Sequence, residues 1–413
     1  MQDLDPHRAL LRAVNSARPD DVAAVIAEVL NDYWGATKVH VLLANDQLSG
    51  LRPLGARGKP VWLGHSAAAE AFTAQEAVLT PTDTSEMWVH LPVTVGGERL
   101  GVLEVVLPSR CPDEQLDQLA DLATLIGYAL HATRGQTDLL HRAVRTQRMT
   151  LAAELQWQLL PPQGRTAPEY ELVGHLEPAY SAYADAFDWA ENEDMLLVGI
   201  FDATTDARST PLLTTLAVTA ARNARRAGLD IAGQASMADQ AIYSHHRGAH
   251  SVDALLMSVD TSTGQVSVVR AGSPELVLIR DRVPQTIELV DQIPLGMFER
   301  TDYATQSFDL AAGDRLVLMS DGVGKALAGP DDACSQDALR EILDTTIDTH
   351  PARVVRTLIH ALTHAHGRAL TDDATVLCLD WTGPGREGNF SVSAPDTRVP
   401  DARPRLSVVP TRA

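Results

Sequence analysis

Apolar positions along the chain change period several times, and each change predicts an element. Between Asp20 and Trp34, Val22, Val25, Ile26, Val29, Leu30 and Tyr33 recur three or four residues apart, the spacing of a helix with one buried face. Pro19 and Asp20 supply its start. A strand is predicted at Val39–Ala44. Two β-branched runs, His90–Val95 and Arg99–Val106, are joined through Gly96-Gly97, residues that accept the positive φ of a hairpin turn. Helical spacing returns after Pro112, with Leu116, Leu119, Leu122, Ala123, Ile126 and Leu130 on one face. Asp113 and Glu114 fall in the first turn, where acids suit the helix dipole.

Residues 134–160 read as a second helical stretch, with Leu140, Val144, Leu151, Leu155 and Leu159 apolar and Gly135 a point of interruption. Two readings stay open for it: a helix paired with its twin in a dimer, or an amphipathic helix lying on its own domain. Leu159-Leu160-Pro161-Pro162 ends it, because proline stops a helix. The order over residues 5–133 (helix, strands, glycine hairpin, long closing helix) resembles a GAF domain. The resemblance implies either a small-molecule sensor or a fold used only to dimerise, and no residue in it is diagnostic of a ligand.

From Glu169 to Trp381 the pattern is rich in strands. Met195–Phe201 is a continuous apolar run and predicts a buried strand. Ala254–Val259 and Gln265–Arg270 flank Asp260-Thr-Ser-Thr-Gly264 as a hairpin, and Arg315–Ser320 and Ala374–Leu379 are further strands. Helices are predicted at Pro211–Ala227, Gln336–Asp344 and Ala352–His366. After Trp381, Gly, Pro, Ser, Arg and Asp dominate, a composition that buries too little to order itself. The expected organisation is therefore a first domain at 1–133, a helical linker at 134–160, a second domain at 161–382 and a disordered tail at 383–413.

Composition narrows the function. The 413 residues carry 54 acids against 34 basic side chains, a net charge of −20, which argues against a nucleic-acid or anionic-membrane surface. No apolar run reaches the length of a membrane span, and the first residues lack the layout of a signal peptide. Cys111, Cys334 and Cys378 are odd in number and far apart, so neither a disulfide framework nor a zinc knuckle is suggested, and a reducing cytoplasm is the expected location.

The chemistry-bearing residues are aspartates at strand ends. Asp202 closes the run Gly199-Ile-Phe-Asp202, Asp321 closes Leu318-Met-Ser-Asp321, Asp372 opens the strand from Ala374, and Asp185 lies shortly before the strand that Asp202 ends. In an antiparallel sheet the end of one strand lies beside the start of its neighbour. Asp321 and Asp372 can therefore converge at one edge, and so can Asp185 and Asp202. Hard divalent cations take such oxygen ligands, whereas carboxylates clustered without a cation repel and raise one another's pKa.

Ser320-Asp-Gly-Val323 and Asp372-Asp-Ala-Thr375 resemble the closing motifs of the metal-dependent type-2C protein phosphatases, the PPM family. Glu154-Leu-Gln-Trp-Gln-Leu-Leu-Pro161 resembles the IQxxLLP segment of its bacterial SpoIIE-like branch. In the same order, Tyr183-Ala-Asp185-Ala-Phe-Asp188-Trp189 stands for Gly-Gly-Asp-x-Tyr-Asp-Trp, Phe201–Ala207 for Gly-Asp-Val-x-Gly-His-Gly, Ala271-Gly-Ser-Pro274 for Ala-Gly-His-Pro, and Ile293-Pro-Leu-Gly296 for Pro-Leu-Gly. The likeness covers roughly residues 150–381. It implies an α+β fold whose second domain is an antiparallel β-sandwich flanked by helices. It also implies a protein serine/threonine phosphatase with two Mn²⁺ or Mg²⁺ ions, held by Asp185, Asp202, Asp321, Asp372 and the backbone carbonyl of Ala203. The implied substrate is a phosphoprotein, such as an anti-sigma-factor antagonist, with a homodimer through the GAF-like domain and linker as a further expectation.

Departures from the pattern set against this a catalytically weak or inactive partner-binding module. Tyr183 and Ala184 replace two glycines, Thr205-Asp206-Ala207 replaces Gly-His-Gly, and Ser273 replaces a histidine. Asp206 either adds a carboxylate or faces water. His360, His364 and His366 are read as a surface helix end, His245, His246 and His250 as part of a polar loop, and Ser181 and Ser320 lack a histidine partner for nucleophilic chemistry.

Overall fold

A computed structural model describes residues 5–55, 61–63, 66–146, 150–178, 185–204, 210–327, 334–364, 370, 372–384 and 407–408. The chain divides into two compact units, residues 1–148 with 391–413, and residues 149–390.

The first unit runs α1 (Pro6–Ser16), α2 (Val22–Trp34), β1 (Lys38–Ala44), β2 (Gly50–Pro53), β3 (Val61–Trp62), α3 (Ala67–Ala74), β4 (Val78–Pro81), β5 (Met87–Val95), β6 (Glu98–Leu107), α4 (Asp113–Thr133) and α5 (Asp138–Val144). Its sheet has the order β4-β5-β6-β1-β2-β3 with antiparallel neighbours. Strand alternation sends Val41, Val89, Leu91, Leu103 and Val105 to a core shared with Ile26 and Leu30 of α2 and Leu119, Leu122 and Ile126 of α4. Leu42 and Val102 face the other way, onto Ala68 and Phe72 of α3.

Residues 134–160 are not one helical stretch. Extended backbone at Arg145 ends α5, and α5 belongs to the first unit: Leu140 joins its core, and Asp46 accepts from Thr146 N at 3.1 Å and Thr146 Oγ1 at 2.7 Å. The next helix, α6 (Leu151–Leu159), belongs to the second unit. Periodicity carried across both because each buries a face of its own. Most of the tail read as disordered lies outside the described residues. Ser407–Val408 form a two-residue strand, here β18, parallel to β4.

The second unit continues with β7 (Gly164–Thr166), β8 (Tyr170–Glu177), β9 (Asp185–Asn192), β10 (Met195–Thr204), α7 (Thr210–Arg226), α8 (Ile231–His246), β11 (Ser251–Asp260) and β12 (Gln265–Ala271). It then runs β13 (Glu275–Arg280), β14 (Val283–Thr286), β15 (Gln306–Asp309), β16 (Arg315–Met319), α9 (Asp321–Leu327), α10 (Cys334–Thr345), α11 (Pro351–His364) and β17 (Ala374–Trp381). Two antiparallel sheets form, β15-β12-β11-β10-β9 and β14-β13-β16-β17-β8-β7. Between them lies a core of Phe187, Val198, Ile200, Leu255, Leu316, Leu318, Leu377 and Trp381. Each fully buried side chain of this kind contributes about 1.5–3 kcal/mol relative to exposure. The outer face of the first sheet packs on α7 and α8 through Phe201, Ala217, Val218 and Ile242, and that of the second on α9, α10 and α11 through Val317, Val376, Leu343 and Leu358. The fold is thus α+β, a sandwich with helices on both outer faces.

Candidate metal centre

The ladder register brings three carboxylates into one row. Asp202 of β10 stands opposite Asp185 of β9 on one side and opposite Asp253 of β11 on the other. Directly opposed residues share a sheet face, and here it is the face of Phe187, Ile200 and Leu255, which looks into the sandwich. Asp185 is fully buried and Asp202 nearly so. The row therefore sits at the end of the inter-sheet core, where solvation is poor.

The second sheet supplies the rest. Where β16 ends, Ser320 N donates to Thr375 O at 3.0 Å, and Thr375 N donates to Ser320 Oγ at 3.0 Å. This pairing sets Asp321, the first residue of α9, beside the 372–374 segment. Gly322 makes the approach possible: a Cβ there would lie 1.8 Å from the Asp373 carbonyl oxygen. Thr375 Oγ1 crosses between the sheets and donates to Asp185 Oδ2 at 2.8 Å. From α6, Gln156 Nε2 donates to the Asp185 carbonyl oxygen and to Asp373 Oδ2. Asp185 is thus held from both sheets and from the helix.

Electrostatics follow from this crowding. Burial pushes the Asp185 carboxyl well above the ordinary carboxylate range, Asp202 and Asp373 add to the rise, and hydrogen bonds from Ser320 and Thr375 oppose it. Burial raises Asp202 to about 8, helped by the charges of Asp321 and Asp372. Lys325, one turn along α9 from Asp321, makes an ion contact with Asp321 Oδ1 at 2.7 Å and donates to Asp372 Oδ2 at 2.8 Å. Desolvation lowers the ammonium's pKa, but the two carboxylates outweigh it and hold the group charged.

Asp185, Asp202, Asp321 and Asp372 are therefore brought to one end of the sandwich, with Asp202 sensing the charges of the second sheet. Among the described residues, no three His, Cys, Asp or Glu side chains are close enough to hold one cation as placed. Lys325 engages Asp321 and Asp372, and hydroxyls engage Asp185. The donor chemistry nevertheless fits a hard divalent cation: the set is all oxygen, and among the described residues Asp185 Oδ1 is buried without a hydrogen-bond partner. Ala203 continues β10 opposite Val252.

Sequence reasoning missed Asp253, Asp373, Gln156 and Lys325. Asp373 and Gln156 lay inside the recognised motifs, whereas Asp253 gave no signal because only ladder register reveals it. Asp253 Oδ2 accepts from Ser273 N at 2.8 Å, in a turn where Gly272 has φ +92°. Asp188 of the Asp-x-x-Asp-Trp motif proves structural, pairing with Arg222 and Arg225 at 2.7 Å each. Trp189 Nε1 donates to Pro162 O at 2.7 Å, so this motif and the Leu-Leu-Pro segment are tied together. His245 and His246 are not in a loop but in the last turn of α8. Tyr183, Ala184, Asp206, Ser181 and His366 lie outside the described residues.

Comparison with known proteins bears on this arrangement. Residues 194–382 match the family described as Stage II sporulation protein E (SpoIIE). The matched residues are just under half of the chain. Similar solved structures include the RsbU and RsbW domains of a Mycobacterium tuberculosis protein, 20% identical over 53% of this chain and 63% of that one, with a TM-score of 0.47. The PP2C phosphatase domain and regulatory fragment of SpoIIE from Bacillus subtilis is 15% identical over 53% of this chain and 66% of that one, TM-score 0.45. The SiaA PP2C domain of Pseudomonas aeruginosa is 21% identical over 56% of this chain and 93% of that one, TM-score 0.48. The chain thus spans less than two thirds of the length of the first two. No curated protein sequence matches it. Among the described residues, no helix is long and apolar enough to cross a membrane.

Proposed function

We propose that this protein hydrolyses phosphoserine and phosphothreonine on a protein substrate in bacterial signalling. The observation that carries the reading is the buried Asp185–Asp202 pair with its orphaned oxygen, set beside Asp321 and Asp372; all but Asp185 lie within the residues that match the SpoIIE family. In this reading Asp185, Asp202, Asp321, Asp372 and the Ala203 carbonyl hold two Mn²⁺ or Mg²⁺ ions. Such ions would supply a water of lowered pKa and offset charge on the phosphoryl group.

The chain's own groups do the positioning. Thr375 and Gln156 fix the Asp185 carboxylate and backbone, so the row keeps its place while protons leave Asp185 and Asp202. Hydrolysis forms a P–O bond from water and breaks the ester to the serine or threonine oxygen, which departs as the alcohol. The catalytic domain in this reading is 161–382, residues 1–133 are a GAF-like regulatory domain, 134–160 the connection between them and 383–413 a tail. The substrate class includes anti-sigma-factor antagonists, the location is the cytoplasm, and a homodimer would form through the first domain and the 134–160 connection.

A second reading, a catalytically weak module that binds a partner protein, is favoured by one observation: an ammonium, Lys325, already bridges Asp321 and Asp372. Phosphate release from a phosphoserine peptide separates the two. The phosphatase reading expects turnover with Mn²⁺, none with chelator, and little on a phosphotyrosine peptide. Absence of turnover at any Mn²⁺ concentration would move the assignment to the partner-binding module.

A further inference from the structure

Three lysines occur in the whole chain, Lys38, Lys59 and Lys325, against a large excess of arginine. Within the second unit, the carboxylates of Asp188, Asp314 and Asp380 are all paired by arginine, whose planar fork binds two oxygens at once and is hard to displace. Among the described residues, only Asp321 and Asp372 are served by lysine, a compact charge on a flexible stem. Its side chain is 51% exposed, while the two carboxylates are 31% and 26% exposed. The ammonium thus has an open route into solvent, and its departure would uncover both carboxylates.

We propose that Lys325 is a tethered counter-ion: it bridges Asp321 and Asp372 and must swing out before a divalent cation is held there. This rests on the metal-site reading given above and adds its regulation. The physical case is direct. Asp321 Oδ1 at 2.7 Å and Asp372 Oδ2 at 2.8 Å are engaged by Nζ and are not free to ligate a cation at the same time. A divalent cation held between those oxygens would also repel the ammonium at close range. Helical spacing fixes the competition in the sequence, because residues four apart share a helix face. Without the bridge, two like charges would face each other across the start of α9. Lys325 therefore relieves the repulsion that the bare site carries and lowers its affinity for metal by the same contacts.

The test is calorimetric titration of Mn²⁺ into the full chain, as wild type, Lys325→Met and Lys325→Arg. Lys325→Met is expected to bind Mn²⁺ at least about tenfold more tightly than wild type, since a nearby like charge is removed. Its metal-free melting temperature should fall, and its rise on adding Mn²⁺ should exceed that of wild type. Lys325→Arg should bind no more tightly than wild type. Equal or weaker Mn²⁺ binding by Lys325→Met, with wild type still binding, would overturn the role of Lys325 and leave the metal site standing. Failure of all three proteins to bind would overturn both. A measurement on unmodified protein covers the case of a variant that does not fold. Limited acetylation should modify Lys325 several-fold faster with Mn²⁺ than without, relative to Lys38 and Lys59. A rate indifferent to Mn²⁺ would contradict the proposal.

Discussion

Gln156 Nε2 and Asp373 Oδ2 lie 3.0 Å apart, joining α6 to the start of β17 in the interior of the second unit. The same nitrogen donates to the Asp185 carbonyl oxygen, so one side chain braces the carboxylate row from behind. Replacing Gln156 by Leu removes these donors from a buried setting. The expected cost is about 1–3 kcal/mol, read as a lower urea midpoint at unchanged slope. Mn²⁺ binding should weaken with it, because Asp185 loses a support.

Asp202 gives a pH signature. Its pKa is raised from 3.8 unfolded to about 8 in the folded, metal-free protein. Between those values the native state holds a proton that the unfolded state has released, so stability falls as pH rises. The metal-free protein should melt at a lower temperature at pH 8 than at pH 5, and Asp202→Asn should show a shallower decline. Saturating Mn²⁺ should flatten the decline in wild type, since the cation takes the proton's place.

Gly322 tests the close approach of the two segments. Alanine there would set Cβ 1.8 Å from the Asp373 carbonyl oxygen, so α9 or the 372–374 segment must move. A destabilisation of roughly 1–3 kcal/mol is expected from such overpacking. Circular dichroism melts would measure it. Turnover should fall more steeply than stability, because Asp321 and Asp372 separate.

Asp188 should behave oppositely. It is 6% exposed and faces Arg222 and Arg225, which are themselves 21% and 14% exposed. Asp188→Ala leaves both guanidinium groups without their carboxylate, a loss of about 3 kcal/mol or more for a buried pair. Denaturant melts should show that loss, while Mn²⁺ affinity of the folded protein stays near wild type. A large drop in affinity would place Asp188 in the metal site instead.

Much of this fold was legible because its signals are local. The hairpin at Gly96-Gly97, the apolar run Met195–Phe201 and the stripe Leu116–Leu130 all became the elements their periods indicated. Helix α8 was missed: its buried positions include Gln234, Ala235, Ala238 and Asp239, so small and polar residues hide its period. Strands β8 and β9 were missed because each carries buried charge, Glu177 in one and Asp185 and Asp188 in the other. In the site, strand ends marked Asp202 and Asp321, and the Asp185–Asp202 pairing followed from antiparallel order. Asp253 was silent, since its place opposite Asp202 depends on a register that no local pattern encodes. Lys325 was overlooked because its meaning lies in Asp372, far away in sequence.

The central claim is that these carboxylates hold catalytic metal. It is tested most directly by anomalous diffraction from crystals soaked in Mn²⁺. The expected result is manganese within about 2.2 Å of carboxylate oxygens from Asp185 or Asp202 and from Asp321 or Asp372, with Lys325 turned away. Crystals that take up manganese elsewhere, or show none beside these four residues at saturating concentration, would contradict the account.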